Sequence, residues 1–175
     1  MEFFTADTHF GHGNIIRHCS RPFIDALEMD DAMLRKLNAK VSPEDTLRHI
    51  GDFSWTDPIP ILKRIACRNI HLIIGNHDKK RAKQLETACK MGLLSTVTPY
   101  GRYVDTQFYG QKVTLCHMPM RSWNIKAHGA WHLYGHVHGT IKDPDFNSMD
   151  VGVDAHDFEP VSWTEVVEYM SRFTR

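Results

Sequence analysis

The sequence predicts an α/β protein in which helices pack on a layered sheet. Strand-like runs alternate with helical patterns along 175 residues, and no repeat or Pro/Gly/Ser-rich linker interrupts them. Polar motifs directly follow several of these runs, and loops at the carboxyl ends of strands are where α/β proteins collect functional groups. A chain of this length can bury a substantial core, so we expect a single domain over residues 1–175.

Three predicted strands in the first half of the chain lead into polar loops. These strands cover residues 2–6, 46–50 and 70–74. Helical patterns separate them, and the clearest one has apolar residues at helix-compatible spacing, namely Leu27, Leu34, Leu37 and Val41. One predicted helix begins at Asn14 as its N-cap. Three more are predicted over residues 26–41, 59–67 and 79–91. This alternation favours a layered α/β sheet.

The second half of the chain changes to β periodicity. Residues alternate in β fashion from 94 to 115, and Tyr109-Gly110-Gln111 predicts a hairpin turn between strands at 102–108 and 112–116. Further strands are expected at residues 131–134 and 148–153. The spacing of Ser162 and Glu165 matches a capping box, which predicts a last helix over residues 163–173.

Composition excludes several classes of protein. The 21 Lys and Arg residues balance 21 Asp and Glu residues, which argues against bulk electrostatic attraction to nucleic acid or an acidic membrane. No apolar run approaches the roughly 20 residues that span a bilayer. The four cysteines form no C-x-x-C pair, and Met1 leads straight into a strand-like run rather than a signal peptide. We therefore expect a cytoplasmic protein with reduced thiols and no membrane partner.

Five motifs along the chain combine the side chains that bind divalent metals. They are Asp7-Thr8-His9, Gly51-Asp52, Gly75-Asn76-His77-Asp78, His117 and Gly135-His136-Val137-His138. One Asp-x-His alone is weak evidence, but the joint occurrence in this order, each beside a Gly or a strand end, is specific. Two neighbouring cations need a shared carboxylate and roughly three more O or N ligands each, which this set supplies. The pattern predicts a two-metal hydrolase.

The order of these motifs over residues 7–138 resembles the calcineurin-like metallophosphoesterase superfamily. The stretch Asp7-Thr8-His9-Phe10-Gly11-His12, with Asn14-Ile15-Ile16-Arg17 and Arg21-Pro22-Phe23 after it, is similar to small bacterial and phage members without a cap domain. The resemblance implies a four-layer α/β/β/α sandwich with two mixed central β-sheets. It also implies two metals at the carboxyl ends of the central strands.

The same resemblance implies two ligand sets. The first metal would be held by Asp7, His9 and His138, and the second by Asn76, His117 and His136. Asp52 would bridge the two metals, because a carboxylate has two oxygens that can each hold one cation, which Asn and His lack. Mixed His and Asp ligands suit borderline cations better than Ca or Mg. We expect two divalent ions, with Mn first and Fe, Zn, Co and Ni as alternatives.

The catalytic residues implied by the resemblance are His77 and Asp78. A metal-bridging hydroxide would attack phosphorus in line, and His77 would protonate the leaving oxygen or stabilise its charge. Asp78 is expected to orient either His77 or the loop.

Substrate contacts are expected from residues near the first and fourth motifs. The candidates are His12, Asn14, Arg17, Arg21 and Arg121. Arginine offers a planar fork to phosphate oxygens, and the alternative for each is a structural or solvated role. The start of one predicted helix carries Lys79, Lys80, Arg81 and Lys83, where the macrodipole disfavours cations. This run indicates either an anionic partner or a solvated helix face. Trp55, Trp123 and Trp131 lie close to the motifs and could stack on a base, although core packing is the more common role of aromatics at strand ends.

The leading functional hypothesis is a phosphodiesterase acting on a nucleotide, an oligonucleotide or another phosphoester. His77 and His117 are 40 positions apart and His117 and His136 are 19 apart, which leaves little room for a cap over the site. The alternatives are a nuclease acting on RNA or DNA ends, a phosphomonoesterase, and a scaffold that binds metal without catalysis. A protein phosphatase is disfavoured, because residues 53–57 after Asp52 lack the D-R-G part of its motif.

Overall fold

Two mixed β-sheets form the centre of the protein, whose computed structural model describes residues 1–141 and 147–172. Over those residues the strands are β1 (Glu2–Thr5), β2 (Thr46–His49), β3 (Asn69–Ile73), β4 (Thr96–Thr98), β5 (Val104–Phe108), β6 (Gln111–Leu115), β7 (Trp131–Tyr134), β8 (Ser148–Asp150) and β9 (Val161–Ser162). The α-helices are α1 (Gly13–His18), α2 (Ala26–Lys40), α3 (Pro58–Leu62), α4 (Ala82–Lys90) and α5 (Trp163–Ser171). The chain is a mixed α/β protein, as the sequence predicts.

The strand order places the carboxyl ends of the central strands at one edge. The first sheet has the order β4-β3-β2-β1-β9 and the second has the order β5-β6-β7-β8. Strands β1 to β4 pair in parallel, and β9 is antiparallel to β1. In the second sheet β6, β7 and β8 are parallel and β5 is antiparallel. Each predicted motif after β1, β2, β3, β6 and β7 therefore lies at the carboxyl end of a parallel strand.

The two sheets meet at this edge. Ala6, just beyond β1, forms a parallel bridge with Gly152, just beyond β8. The Val153 N–H donates to the Ala6 carbonyl at 3.0 Å, which ties the two strand ends together. The loops that leave both sheets consequently converge on one region.

Apolar side chains fill two spaces on opposite faces of the first sheet. Phe3 points into a cluster with the helices, which includes Met29, Leu37 and Leu85. Phe4, one residue later, points into a cluster between the sheets. This second cluster also contains Ile50, Phe108, Val113, Leu115, Leu133, Trp163 and Val166. The alternation of β1 side chains thus holds helices on one face and the second sheet on the other.

The sequence predicts where the helices lie better than it predicts where they end and which side chains they bury. α2 ends at Lys40 with Val41 as its C-cap, but Leu27 is 76% exposed, and Met29 and Met33 occupy the buried face. Asn14 is not an N-cap, because α1 begins at Gly13 and no side chain caps it. The helix expected at residues 59–67 ends at Leu62. The one expected at 79–91 begins as a 3₁₀ turn (Asp78–Arg81) before α4.

The hairpin and the capping box are confirmed. Tyr109 and Gly110 connect β5 to β6 with φ of 48° and 91°, the left-handed pair that a type I′ turn requires. Strand β9 is missed by the sequence, because two residues give no periodicity. The predicted end of α5 at Phe173 lies outside the described residues. All four cysteines are free thiols, and within the described ranges no helix has the length and apolarity to cross a bilayer.

The capping box of α5 provides a test of local stability. Glu165 N–H donates to Ser162 Oγ at 3.3 Å, and Ser162 N–H donates to Glu165 Oε2 at 2.7 Å. We expect Ser162→Ala to lower the free energy of unfolding by about 1 kcal/mol. Urea denaturation would measure this loss, with Thr164→Ala on the same helical turn as the control. Equal stability of the two variants would contradict the capping role.

Candidate metal centre

A first group of metal-binding side chains gathers at the ends of β1 and β7. It consists of Asp7, His9 and His138, whose ligand atoms all lie within 4.8 Å of one another. Asp7 and His9 are buried, and His138 is half-buried. Because β1 and β7 belong to different sheets, this group exists only once both sheets have formed.

A second group lies beside the first. Asp52, His117 and His136 also have ligand atoms within 4.8 Å of one another. Asn76 joins them, with its Oδ1 2.9 Å from His117 Nε2. The structure thus brings together every metal ligand that the sequence predicts, in the two sets expected. The number and identity of the ions remain a proposal.

Asp52 joins the two groups through one oxygen. Its Oδ2 lies 3.6 Å from His9 Nε2 in the first group and 3.4 Å from His117 Nε2 in the second. Its Oδ1 instead accepts the backbone N–H of His77 at 2.9 Å. The expectation that each oxygen holds one cation stays a prediction, because an oxygen that accepts one N–H retains a lone pair. Asp52 is the residue that two ions would share, and its Oδ1 also fixes the loop after β3.

Hydrogen bonds at the far side of two imidazoles aim their Nε2 atoms at the centre. His117 Nδ1 lies 2.9 Å from the Ile50 carbonyl, which can only accept. His138 Nδ1 lies 2.6 Å from Asp154 Oδ2. Each contact places a proton on Nδ1, which leaves Nε2 as the nitrogen that would bind a cation, as in most metal-binding histidines.

Two buried ligand atoms in the first group form no hydrogen bond. These atoms are Asp7 Oδ1 and His9 Nε2. Buried polar atoms are nearly always hydrogen-bonded, because an unsatisfied group costs its full desolvation free energy. A divalent cation in contact with both atoms would remove that cost. The donor set of N and O atoms therefore fits a borderline metal.

Burial and neighbouring charges give the ligands different pKa values. Burial lowers the pKa of His9 to about 2, so its imidazole is neutral. Burial acts to raise the pKa of Asp52, but His117 and His9 beside it lower the pKa to about 2. Burial raises the pKa of Asp7 from 3.8 to about 7, although His117 and His138 oppose the change. Asp7 must therefore lose a proton when metal binds below neutral pH.

The ligand loops adopt backbone conformations that L-residues rarely take. Five predicted ligands have positive φ: Asp7 (58°), His9 (50°), Asp52 (56°), His136 (73°) and His138 (49°). Left-handed backbone costs a non-glycine residue roughly 1–2 kcal/mol, and such strain concentrates at functional sites. The fold therefore maintains these conformations at the expense of stability.

Glycines before the ligands allow neighbouring strands to approach. A Cβ on Gly75 would lie 2.1 Å from Asp52 Oδ1, and one on Gly135 would lie 2.7 Å from Asp7 Oδ2. Both distances are shorter than any normal contact. Any larger residue at these two positions would collide with the carboxylate that follows the adjacent strand.

Asp154 is a site residue that the sequence analysis misses, and Arg21 is its partner. Arg21 is buried, and its guanidinium donates to both Asp154 oxygens at 2.8 and 2.7 Å. It also donates to the backbone carbonyls of Asp7 at 2.7 Å and Thr8 at 3.1 Å. The prediction that Arg21 binds substrate is wrong, because its donors already hold the first ligand loop. Asp154 lies in a 3₁₀ turn (Val153–Ala155) that carries no metal motif.

The structure does not bring the other predicted substrate residues together at one place. The ring of His12 lies 5.5 Å from the ring of His9, at the edge of the site. Arg17 and Asn14 are exposed on α1, where Arg17 donates to Asn14 Oδ1 at 3.4 Å. Arg121 is exposed in the loop after His117. Substrate roles for Asn14, Arg17 and Arg121 stay predictions.

His77 and Asp78 have different environments although they are adjacent. The side chain of His77 is 43% exposed, and its Nε2 lies 4.0 Å from Asp52 Oδ2. Asp78 is fully buried and accepts N–H groups from Phe53, Ser54 and Gly75 at 2.8, 3.2 and 3.0 Å. Of the two roles considered for Asp78, the contacts support orientation of the loops. His77 lies at the exposed side of the centre, and its catalytic role stays a prediction.

Comparison with known proteins supports the fold. No protein-family model matches the chain. Uncharacterized protein MJ1445 of Methanocaldococcus jannaschii is 27% identical over 180 residues, covering 97% of this chain and 91% of that protein. The crystal structure of AQ665, a protein of unknown function from Aquifex aeolicus, is similar with a TM-score of 0.76 and 24% identity, covering 97% of this chain and 98% of that one. Neither name carries an activity, so the chemistry must be inferred from the side chains of the site.

The pKa of Asp7 predicts how the metal-free protein responds to pH. A carboxyl group whose pKa rises from 3.8 to about 7 on folding destabilises the folded state progressively across that interval. We expect the free energy of unfolding of metal-free Asp7→Asn to increase relative to that of the wild type as pH rises. The difference should reach on the order of 2–4 kcal/mol at pH 8. Urea denaturation between pH 5 and pH 8 measures the gain. Asp31→Asn, which changes an exposed carboxylate, is the control, and a pH-independent difference for Asp7→Asn would refute the assignment.

The contact of Asp154 with His138 predicts a loss of metal affinity on substitution. We expect Asp154→Asn to weaken binding at the Asp7 group roughly 10- to 100-fold, as for other carboxylates that orient a ligating histidine. Titration calorimetry with Mn measures the change. The control is Asp157→Asn, whose carboxylate is 84% exposed and pairs with Lys36. Equal affinities in the two variants would remove Asp154 from the metal centre.

Proposed function

We propose that this protein is a two-metal phosphodiesterase with the calcineurin-like α/β/β/α sandwich fold. The observation that carries the proposal is the meeting of two His/Asp groups at Asp52 Oδ2, 3.6 Å from His9 and 3.4 Å from His117. Two such groups around one carboxylate are the arrangement that binuclear hydrolases use. The face-to-face packing of two mixed sheets supports the proposed fold.

The ligand sets define where two cations would bind. Asp7, His9 and His138 would hold one, Asn76, His117 and His136 the other, and Asp52 both. Bound cations, Mn in the first instance, would lower the pKa of a water and neutralise phosphoryl charge. Asp154 and the Ile50 carbonyl keep two of the imidazoles oriented for this task.

His77 supplies the proton for the departing oxygen in this proposal. Its side chain is exposed, unlike His9 and His117, and lies within 4.0 Å of the Asp52 oxygen that faces both groups. Its backbone is anchored through its N–H to Asp52 Oδ1 at 2.9 Å. An alkoxide is a poor leaving group, so a positioned acid accelerates its departure.

The openness of the site favours a diester over a monoester. Residues 78–116 between His77 and His117 build α4, β4, β5 and β6, which belong to the sheets and their helical cover. They leave no insertion to close over the ligands. His77 is exposed and His136 half-buried at the surface of the centre. Such a site can accept a phosphate with a substituent on each side.

Hydrolysis of bis-p-nitrophenyl phosphate, compared with p-nitrophenyl phosphate, tests the proposal. The protein would be loaded in turn with Mn, Ni, Co, Zn and Mg. We expect metal-dependent turnover of the diester, and its loss in Asp52→Asn together with both equivalents of metal. His77→Ala should retain its metal and lose about 100-fold or more in turnover of alkyl diesters. The absence of turnover with every metal would refute the proposed enzymatic activity and would favour a scaffold that binds metal without catalysis.

A nuclease acting on RNA or DNA ends is the second candidate. Lys79, Lys80 and Lys83 are exposed beside His77, while the acid of that turn, Asp78, is buried against backbone N–H groups. Cations in this position would attract a polyanion. Cleavage of a single-stranded oligonucleotide that weakens steeply with salt would favour the nuclease, and salt-independent cleavage would favour a small diester.

A further inference from the structure

Trp55 stands apart from the other tryptophans. It is 43% exposed, whereas Trp123 and Trp163 are 7% and 8% exposed and Trp131 is half-buried. An indole left in water loses the free energy that burial would provide. Exposed aromatic side chains beside a polar site are typical of ligand recognition rather than of the core.

The indole is held in a fixed orientation. The ring of His12 stacks on it with centroids 4.1 Å apart and planes 8° from parallel. The backbone of Trp55 is fixed on both sides, because its N–H donates to the Phe10 carbonyl at 2.9 Å. Its carbonyl accepts two N–H groups of Arg81 at 3.1 and 2.8 Å. A stacking surface that is already ordered loses little entropy on binding.

The surface lies on the side of the metal centre that His77 occupies. The ring of Trp55 is 5.7 Å from the ring of His77, and the ring of His12 is 6.3 Å from it. Because His77 faces the departing oxygen in the proposed reaction, a group bonded to that oxygen would extend towards Trp55. Planar bases stack on aromatic side chains regardless of sequence.

Positive charge borders the same surface. Arg81 contacts the backbone of Trp55, and Lys79 and Lys80 are exposed two and three residues after His77. Lys79 Nζ lies 4.5 Å from the ring of the exposed Tyr100. Cations interleaved with aromatic rings are the combination that binds nucleotides through phosphate and base together.

We propose that Trp55, backed by His12, is a base-stacking subsite, and that the substrate is a nucleoside phosphodiester whose departing nucleoside stacks there. The inference rests on the proposed function, because it names the substrate of that same centre. It assigns to Trp55 a binding role that neither the metal ligands nor His77 requires.

Cleavage of the dinucleotide dTpdT and of analogues that replace one nucleoside by an abasic sugar tests the subsite. In the Mn-loaded wild type we expect loss of the departing base to lower kcat/KM about tenfold, which is the middle of the range for one stacked base. In Trp55→Ala the same loss should have little further effect, because base and indole form one interaction. A base effect of equal size in the two proteins would overturn the proposal.

Tyr109→Ala is the control variant for this cycle. Tyr109 is 78% exposed at the β5–β6 turn, at the end of β6 opposite to His117. The base effect in this variant should equal that of the wild type. A reduced base effect in Tyr109→Ala would mean that loss of any exposed aromatic ring weakens binding, and the assignment to Trp55 would fail.

Fluorescence separates failure of the subsite from failure of the proposed function. We expect dTpdT to quench the metal-free protein saturably, the doubly abasic analogue to quench it far less, and Trp55→Phe to lose the saturable quenching. This result would support the subsite even if no metal gave turnover. Quenching without saturation, or equal quenching in Trp55→Phe, would overturn it even in an active enzyme.

Discussion

The burial of Asp7 and Asp52 close to each other, at the seam between two sheets, is the constraint on which the structure depends. Both carboxylates are shielded from water, and imidazoles surround them. The protein lowers the pKa of Asp52 through His117 and His9, whereas burial prevails at Asp7 and raises its pKa to about 7. The polypeptide thus stabilises one negative charge and leaves the other for a cation, because burying two unpaired carboxylates is prohibitively costly.

The conformation of the surrounding loops follows from this constraint. Asp7 and Asp52 must turn back towards the seam directly after a strand, which requires the left-handed backbone seen at both residues. Gly75 and Gly135 leave room for their oxygens, since a Cβ at either position would collide with them. Arg21 then fixes the result, because its guanidinium joins the carbonyl of Asp7 to the carboxylate of Asp154. Rigid strands and the buried guanidinium of Arg21 thereby maintain the strained backbone of the ligand loops.

Prediction from sequence succeeds where the signal is local. A ligand motif after a strand is visible in the residues themselves, and parallel pairing makes its convergence with the others follow from geometry. The sequence does not reveal that Asp154 orients His138 or that Arg21 is internal, because these contacts join positions up to 133 residues apart. The sequence likewise does not reveal that Asp52 Oδ1 accepts the N–H of His77. Leu27 shows the same limit, because its spacing predicts a buried side chain, whereas it is exposed and Met29 is buried instead.

Trp55 differs from the other tryptophans in that its position does not maximise the stability of the fold, because burial of an indole is stabilising. Trp123 has that stabilisation, because its ring is buried and its Nε1 donates to the Ala130 carbonyl at 2.8 Å. Trp55 also lies close to a metal motif in sequence, yet the structure orders its backbone and leaves its ring partly exposed. Asp7, His9 and Asp52 likewise keep a strained backbone, and Asp7 Oδ1 and His9 Nε2 have no hydrogen-bond partner. Stability is given up at these positions together, and a ligand that satisfies them stabilises the fold as it binds.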